Sequence, residues 1–146
     1  MELNLPVKQL PVTRSGDGLY LKDVIRKKWL KVTPEEWVRQ HLLLFFIEHL
    51  NYPKNLIGVE KSLQYGSLSK RSDVVVWDRE GKPWLLAECK APYLEIDDEV
   101  IYQAALYYEQ IKPRHIILTN GIAHYHYDSN RGEEFKEVKE WPKFPG

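Results

Sequence analysis

The alternation of apolar and polar positions first predicts a long helix in the early part of the chain. Apolar residues recur at helical spacing between positions 38 and 47. Thr33 and Pro34 form a typical helix start, because a threonine side chain caps backbone amides and proline suits the first helical position. The sequence Asn-Tyr-Pro at 51–53 is a stop signal, so the helix should end near Leu50.

Three runs rich in β-branched and aromatic residues follow this helix and predict strands. Residues 56–63 alternate loosely, residues 73–77 read Asp-Val-Val-Val-Trp, and residues 83–90 form a return strand. Polar residues at 78–82 predict a hairpin turn between the last two strands. The stretch Gly-Ser-Leu-Ser-Lys at 66–70 predicts the turn between the first two.

An acidic run at 95–99 predicts the start of a second helix, which ends at about Ile111 because Pro113 follows. Its apolar stripe is expected to contain Val100, Ala104 and Tyr107. Two more strands are predicted beyond it, at 116–119 and at 122–127, joined by an Asn-Gly turn.

The order helix, three strands, helix, two strands predicts an α/β fold with a mixed central sheet and a helix on each side. The second helix lies between two strands and permits a right-handed crossover connection. We expect a single domain over residues 1–146. Its first 18 residues, which contain Pro and Gly, are expected to be an extended arm, and residues 129–146 a polar tail.

Composition narrows the class of protein. Hydrophobic residues make up 43% of the 146 residues, which is typical of a soluble globular protein. The 21 basic and 21 acidic side chains cancel, so we do not expect a protein that binds DNA through a large net positive charge. The single Cys89 excludes an internal disulfide and favours a reducing compartment. The longest aliphatic and aromatic run, Leu42 to Ile47, is far too short to cross a membrane. We therefore expect a cytoplasmic protein without a membrane partner.

The neutral total conceals an uneven distribution of charge. Residues 1–31 contain seven Lys or Arg against three Asp or Glu. Lys28 and Lys31 are candidate contacts to nucleic-acid phosphates, with Trp29 as a platform on which a base could stack. The alternative is that this basic segment is a solvated face with no ligand.

The return strand carries the candidate chemistry. Side chains alternate along a strand, so Glu88 and Lys90 share one face at its end, and hairpin geometry can bring Asp73 close to them. Two carboxylates suit Mg²⁺, to which the backbone carbonyl of Cys89 could add a third oxygen. Lys90 could orient an attacking water or stabilise a pentavalent phosphorus centre. The alternative is an ordinary surface ion pair on an edge strand, which contributes about 0–1 kcal/mol.

Asp73 followed by Glu88-Cys89-Lys90 across a hairpin resembles the metal site of PD-(D/E)XK nucleases. Further motifs resemble the N-terminal nuclease domain of type I restriction enzyme R subunits, and the resemblance covers roughly residues 20–128. These motifs are Thr-Pro-Glu-Glu-Trp-Val-Arg-Gln at 33–40, Asn-Tyr-Pro at 51–53, Arg-Ser-Asp-Val-Val-Val at 71–76, Gln103 with Tyr107, and Leu-Thr-Asn-Gly at 118–121.

The resemblance implies a restriction-endonuclease-like core and a metal-dependent DNA endonuclease that uses Mg²⁺, for which Mn²⁺ can substitute. Asp73 and Glu88 would bind the metal together with Cys89, and Lys90 would be the catalytic lysine. Glu36 would be an additional acidic residue near the metal, with Glu35 as the fallback. A capping box that begins at Thr33 competes for the Glu36 side chain. Gln103 would lie beside the active site, and the expected DNA contacts are Lys28, Lys31, Arg39, Lys70, Arg71 and Tyr107.

The chain departs from the family pattern at one position, where Ser72 replaces the usual proline before Asp73. The sequence contains no phosphate-binding loop for ATP, so ATP-driven translocation would need another protein. A separate motor or specificity subunit is therefore an expected partner. DNA is the expected partner, and a homodimer would account for cleavage of both strands. Two other hypotheses stay open, namely a catalytically idle DNA-binding or assembly module on the same fold, and a repair-type nuclease that acts on structured or single-stranded DNA.

Overall fold

The computed structural model of the chain describes residues 2–6, 9–65, 68–129 and 136–146, and at 64–65, 68–70 and 107 it describes the backbone alone. The elements are β1 Val12–Ser15, β2 Gly18–Lys22, β3 Trp29–Lys31, α1 Pro34–Glu48, a 3₁₀ turn Lys54–Leu56, β4 Ile57–Tyr65, β5 Leu68–Trp77, β6 Pro83–Cys89, α2 Asp98–Ile111, β7 His115–Thr119, β8 His124–Asp128 and β9 Lys136–Val138.

The core is a six-stranded sheet with the strands in the order β4-β5-β6-β7-β8-β9. The pair β6–β7 is parallel, and the other neighbouring pairs are antiparallel. Helix α1 packs on one face, where Leu42 and Phe46 meet Val74 and Val76. Helix α2 packs on the other face through Tyr108. The prediction of an α/β fold with a mixed sheet flanked by helices is confirmed.

The two helices begin where their capping residues stand. The Thr33 hydroxyl accepts a hydrogen bond from the amide of Glu36 at 3.0 Å, and the Asp97 carboxylate accepts one from the amide of Val100 at 3.0 Å. The buried stripe of α2 includes Ala104, as predicted, and also Tyr108. Spacings of four residues from Val100 keep the stripe on the sheet, and the side chain of Tyr107 lies outside the described part.

The structure differs from the predicted extended arm and polar tail. Strand β1 pairs with β2, and with β3 these strands form a separate antiparallel sheet. At the other end of the chain, β9 pairs with β8, and Trp141 and Phe144 pack against the α1 side of the core. The C-terminal difference arises from pairing and packing with distant parts of the chain. The β1–β2 hairpin is local, but all four residues of β1 are exposed, so the strand lacks the apolar alternation that would predict it.

The turn predicted at 66–70 is shorter in the structure. Strand β4 continues to Tyr65 and β5 begins at Leu68, which pairs with Tyr65. The two residues between them, at 66–67, lie outside the described residues. The hairpin turn at 78–82 is present as predicted, and the Asp78 carboxylate holds it by accepting hydrogen bonds from the amides of Glu80 and Lys82.

Candidate active site

The β5–β6 hairpin carries the two predicted metal ligands at the same end of its paired region. Val74 faces Ala87 as the last pair of this hairpin, and Asp73 and Glu88 are the next residue on each strand beyond that pair. The Asp73 Oδ2 atom accepts a hydrogen bond from the amide of Cys89 at 2.7 Å. The aspartate is therefore tied to the strand that carries the glutamate.

Glu88 and Lys90 lie where β6 runs beside β7 and ends. The Oε1 atom of Glu88 accepts a hydrogen bond from the Tyr108 hydroxyl of α2 at 3.4 Å. The backbone amide of Lys90 donates to the carbonyl of Thr119 in β7 at 2.8 Å, so the chain is still held to the sheet at this residue. The Lys90 side chain is half-buried. Tyr108 is a site neighbour that the sequence did not predict, because its only local signal is its four-residue spacing from Ala104.

The adjacent glutamates of α1 have different surroundings. Glu36 is buried, and its carboxylate accepts hydrogen bonds from Arg39 Nε at 2.9 Å and from Gln40 Nε2 at 3.0 Å. Glu35 is exposed at the helix surface. Its pKa is raised by partial burial and then by the negative charge of Asp73, and Lys90 partly offsets this shift. The electrostatic coupling to the candidate site therefore belongs to Glu35, the fallback residue, and the Glu36 carboxylate is held by ion pairing within the helix.

Arg39 is buried beside this site. One guanidinium nitrogen lies 3.6 Å from Asp73 Oδ1, and another lies 3.1 Å from Glu60 Oε1. Burial alone would lower the pKa of Arg39, but the hydrogen bond to Glu36 and the charges of Glu60 and Asp73 outweigh it and raise the pKa. This placement does not fit the prediction that Arg39 contacts DNA, because a guanidinium that is 6% exposed and paired with carboxylates is not available to a phosphate.

A wider set of charged and polar side chains surrounds Arg39, and we call it the anchor network. Its members are Asp23, Arg26, Glu36, Arg39, Gln40 and Glu60. Asp23 accepts hydrogen bonds from Arg26 Nη2 at 2.8 Å and from Gln40 at 2.9 Å. Burial raises the pKa of Asp23, but the bonds from Arg26 outweigh it and lower the pKa overall. Arg26 belongs to the basic segment within residues 1–31, and nothing local in the sequence marks its partner Glu60, 34 residues away.

Glu60 is the strained member of the anchor network. It adopts φ 53° within β4, a left-handed conformation that non-glycine residues rarely take. Its carboxylate is 3.1 Å from Arg26, 3.1 Å from Arg39 and 3.3 Å from Arg71. Burial raises the pKa of Glu60, but the three cations together outweigh it and lower the pKa. These ion pairs thus hold the left-handed backbone of Glu60 in place, and one of their partners, Arg39, also contacts Asp73.

The other predicted site residues are distributed over the surface. Lys28 and Lys31 are exposed beside and on β3, Arg71 is exposed on β5, and Gln103 is exposed on α2. Arg71 pairs with Glu60. The side chains of Lys70 and Tyr107 lie outside the described residues, so their predicted DNA contacts stay predictions.

Cys89 contributes its backbone to the site. The thiol is buried, and burial raises its pKa well above the usual value, with the charge of Asp73 adding to the effect. A thiol that keeps its proton is a poor metal ligand. The oxygen of its peptide group is the remaining donor that the sequence analysis assigned to the metal.

The donor set is compatible with a hard cation. Within the described residues, no three Asp, Glu, His or Cys side chains are grouped closely enough to hold a metal ion. Mg²⁺ does not require such a group, because it retains several waters and binds through one or two carboxylates. Asp73 and Glu88, with a backbone oxygen, therefore fit Mg²⁺ and do not fit Zn²⁺, which prefers nitrogen and sulfur ligands.

Neither helix in the described part of the chain has the length and apolar character needed to span a bilayer.

Comparisons with known proteins show the fold and the family of the chain. The structure resembles that of a candidate nuclease of the DUF820 family from Anabaena variabilis, with a TM-score of 0.51 and 12% sequence identity over 80% of this chain and 75% of the other. At that identity the likeness concerns the fold alone. No curated protein sequence matches the chain significantly. The family model for the type I restriction enzyme R protein N terminus matches residues 34–142, most of the chain, and the chain therefore belongs to that family.

Proposed function

We propose that this domain is a Mg²⁺-dependent DNA endonuclease of the restriction type that hydrolyses phosphodiester bonds. The observation that carries the proposal is the hydrogen bond from the Cys89 amide to Asp73 Oδ2, which ties Asp73 to the strand that carries Glu88 and leads directly into Lys90. Membership of the R protein family supports a restriction role. The likeness to the candidate nuclease supports the same fold but no particular chemistry.

Each residue of the site has a role that its surroundings favour. Asp73 and Glu88 would hold Mg²⁺ together with the Cys89 carbonyl, and Mn²⁺ would substitute. The bound ion would lower the pKa of a water and neutralise charge on the phosphate. The Lys90 ammonium would donate hydrogen bonds to a phosphate oxygen as negative charge develops there. Arg39 would keep Asp73 oriented from its buried position.

Glu35 is the candidate proton acceptor for the attacking water. Its pKa is raised by partial burial and by Asp73, so its carboxylate holds a proton more readily than an ordinary glutamate. It is exposed at the start of α1, where water can reach it. Gln103 stays a proposed neighbour of the bound DNA on the strength of the sequence motif.

DNA is the proposed substrate, and the partners follow from the family. An R protein is one subunit of a type I restriction enzyme, so we propose that a motor or a specificity function is supplied outside the residues described. A homodimer of this domain would allow both strands of a duplex to be cut. The neutral net charge predicts weak affinity of the domain alone for non-specific DNA.

The direct test is a plasmid-nicking assay with Mg²⁺ and with Mn²⁺. We expect Asp73→Asn and Lys90→Ala to lower the nicking rate by about 100-fold or more, as for other groups that stabilise a transition state. Lys82→Ala is the matched control, because it removes an exposed lysine from the opposite end of the same hairpin. Titration calorimetry should show that Asp73→Asn and Glu88→Gln lose Mg²⁺ binding while Lys90→Ala keeps it.

The outcomes separate the proposal from its alternatives. Nicking that survives both Asp73→Asn and Lys90→Ala would mean that this site is not the catalytic centre. Metal binding with no cleavage of any DNA would favour an idle binding module. Cleavage restricted to branched, nicked or single-stranded substrates would favour a repair-type nuclease.

A further inference from the structure

The small sheet formed by β1, β2 and β3 presents an unusual face to solvent. Cross-strand partners in an antiparallel sheet lie on the same face, so the register places Tyr20 with Lys31 and Lys22 with Trp29. Thr13 joins them from β1, opposite Tyr20. We call this set of five residues the β2–β3 face. Aromatic and basic side chains alternate across it.

The β2–β3 face carries an exposed aromatic ring between exposed lysines. The opposite face is mostly apolar, with Leu21 fully buried and with Val12 and Leu19 42% and 40% exposed. Trp29 is 50% exposed, and Lys22 and Lys31 are exposed beside it. A tryptophan held in water on the outer side of a strand gains little from folding, which favours a role in contacting a ligand.

The charge around this face suits a polyanion. Within residues 12–31, all of which are described, the exposed charged side chains are five cations and one carboxylate, Asp17. Asp17 accepts a hydrogen bond from the Tyr20 hydroxyl at 2.6 Å and lies 3.8 Å from the Lys31 ammonium. It therefore fixes the Tyr20 ring and offsets part of one cation. The five cations are Arg14, Lys22, Lys27, Lys28 and Lys31, of which Arg14 lies opposite Leu19 on the other face of the sheet.

The turn between β2 and β3 adds its own lysines to one end of the face. Hydrogen bonds from the Asp23 amide to the Lys28 carbonyl and from the Lys27 amide to the Asp23 carbonyl close this turn, at 2.8 and 3.0 Å. Lys27 takes φ 58° there. The turn thus sets two exposed lysines next to the pair formed by Lys22 and Trp29.

The same turn fixes the face to the body that carries the candidate active site. The Val24 amide donates to Gln40 Oε1 of α1 at 2.9 Å, and Arg26 bonds to Glu60 of β4 at 3.1 Å. Glu60 in turn bonds to Arg39, which contacts Asp73. A nucleic-acid strand bound on the β2–β3 face is therefore connected to the candidate metal ligand Asp73 through these ion pairs.

We infer that the β2–β3 face binds single-stranded nucleic acid, with an unpaired base stacked on Trp29 and the flanking phosphates contacted by Lys22 and Lys31. Base stacking on an exposed aromatic ring requires a base outside a duplex, so the face should prefer single strands. The inference rests on the proposed function only for the choice of DNA as the ligand. Binding at this face needs no metal ion.

The test measures binding of a fluorescent oligothymidylate of about 12 nucleotides, by anisotropy, in EDTA and at low salt. We expect Trp29→Ala to weaken binding by about 5- to 100-fold, and Trp29→Phe to retain most of the affinity because phenylalanine also stacks. Lys22→Ala should reduce the slope of log K against log salt by about 0.7. Lys54→Ala, which removes an exposed lysine from the 3₁₀ turn, is the control and should change neither quantity.

A duplex of the same length should bind more weakly than the single strand. Equal binding by Trp29→Ala and the unaltered protein would overturn the inference, as would a duplex bound as tightly as the single strand. Because no step here requires cleavage, a protein that binds through Trp29 but never nicks DNA would contradict the proposed function alone. A nuclease whose DNA binding ignores Trp29 would contradict this inference alone.

Discussion

Neighbouring residues of one helix can have opposite electrostatic surroundings, and Glu35 and Glu36 are an example. Successive side chains on a helix are about 100° apart, so one glutamate faces inward while the next reaches the surface. The sequence motif alone leaves open which of the two approaches the metal. Only the position of Arg39, one turn along and buried, decides that Glu36 is held inside the fold.

The two glutamates should therefore respond differently to the same neutral substitution. Glu36→Gln leaves the buried Arg39 without its main partner, and we expect the free energy of unfolding to fall by about 3 kcal/mol. Glu35→Gln should leave stability unchanged or slightly raised at neutral pH, because a raised pKa means that the fold disfavours the ionised form there. Urea unfolding of both variants at neutral pH measures this difference.

Nicking assays complete the comparison. Glu35→Gln is expected to lower the rate by about 100-fold, as the loss of a general base does. If Glu35→Gln keeps full activity, Glu35 is not the proton acceptor. If Glu36→Gln is as stable as the unaltered protein, the ion pair with Arg39 contributes nothing to the fold.

At the scale of elements, the local signals in the sequence were sufficient for the central hairpin and both helices. The caps at Thr33 and Asp97, the turn at Asp78 and the β-branched run at 74–76 act over a few residues, so they can be read without tertiary context. The same signals place Asp73 and Glu88 just beyond the last pair of the hairpin, and their role as metal ligands stays a prediction.

The terminal segments could not be predicted in the same way. Strand β9 has three residues, two of them exposed, and forms because β8 offers a free edge. Trp141 belongs to the core only because Phe45 and Phe46 of α1 lie against it, with ring centroids 4.8 and 6.4 Å away. The anchor network is equally non-local. Such contacts join positions far apart in the chain, and no local pattern reports them.

A glycine in β4 gives a test of packing between elements. A Cβ atom added at Gly58 would lie 2.6 Å from the ring of Trp77 on the neighbouring strand. We expect Gly58→Ala to lower the free energy of unfolding by about 1–3 kcal/mol, because the indole must move within a packed sheet. Thermal unfolding measured by circular dichroism would detect this as a lower Tm.

The matched control is Gly16→Ala, in the turn between β1 and β2. A Cβ atom there meets nothing within 4 Å, and the substitution should change the free energy of unfolding by less than about 0.5 kcal/mol. Equal Tm values for the two variants would mean that Trp77 does not pack over Gly58 in solution.

At the scale of the whole molecule, both ends of the chain are hydrogen-bonded to its body, the first at the β7–β8 turn and the last at the residues that follow α1. The amide of Asn4 donates to the carbonyl of Gly121 at 2.7 Å, and the carbonyl of Asn4 accepts from His124 Nε2 at 2.8 Å. From the other end, the carbonyl of Pro142 accepts a hydrogen bond from the Tyr52 hydroxyl. The fold is therefore completed by segments that are 120 or more residues apart from each other in sequence.

Two buried histidines lie under the C-terminal segment, and their hydrogen bonds fix their tautomers. The carbonyl of Glu140 can only accept, so Nδ1 of His126 carries a proton and donates to it. Nε2 of neutral His126 then accepts from Nδ1 of His115, 2.9 Å away. Charging both rings would place two like charges within this hydrogen bond.

These histidines make stability depend on pH. The pKa of His115 is lowered to about 4, first by burial and then by the neighbouring His126, with Arg114 adding to the effect and Asp128 opposing it. Burial also lowers the pKa of His126. For a base whose pKa is lower in the folded state, the stabilisation is complete above the unfolded value of about 6.5. It is lost as pH falls towards the folded value.

We expect the free energy of unfolding to fall by about 1–2 kcal/mol between about pH 7 and about pH 5. This window lies above the range in which Asp23 and Glu60 act, since carboxylates of lowered pKa lose their contribution only below about pH 4.5. His115→Gln removes the titrating ring but keeps a donor for His126, and it should flatten the decline. His49→Gln removes an exposed histidine at the end of α1 and should leave the decline unchanged. A decline of the same size in His115→Gln and in the unaltered protein would show that the pair beneath the C-terminal segment does not set the acid sensitivity of the fold.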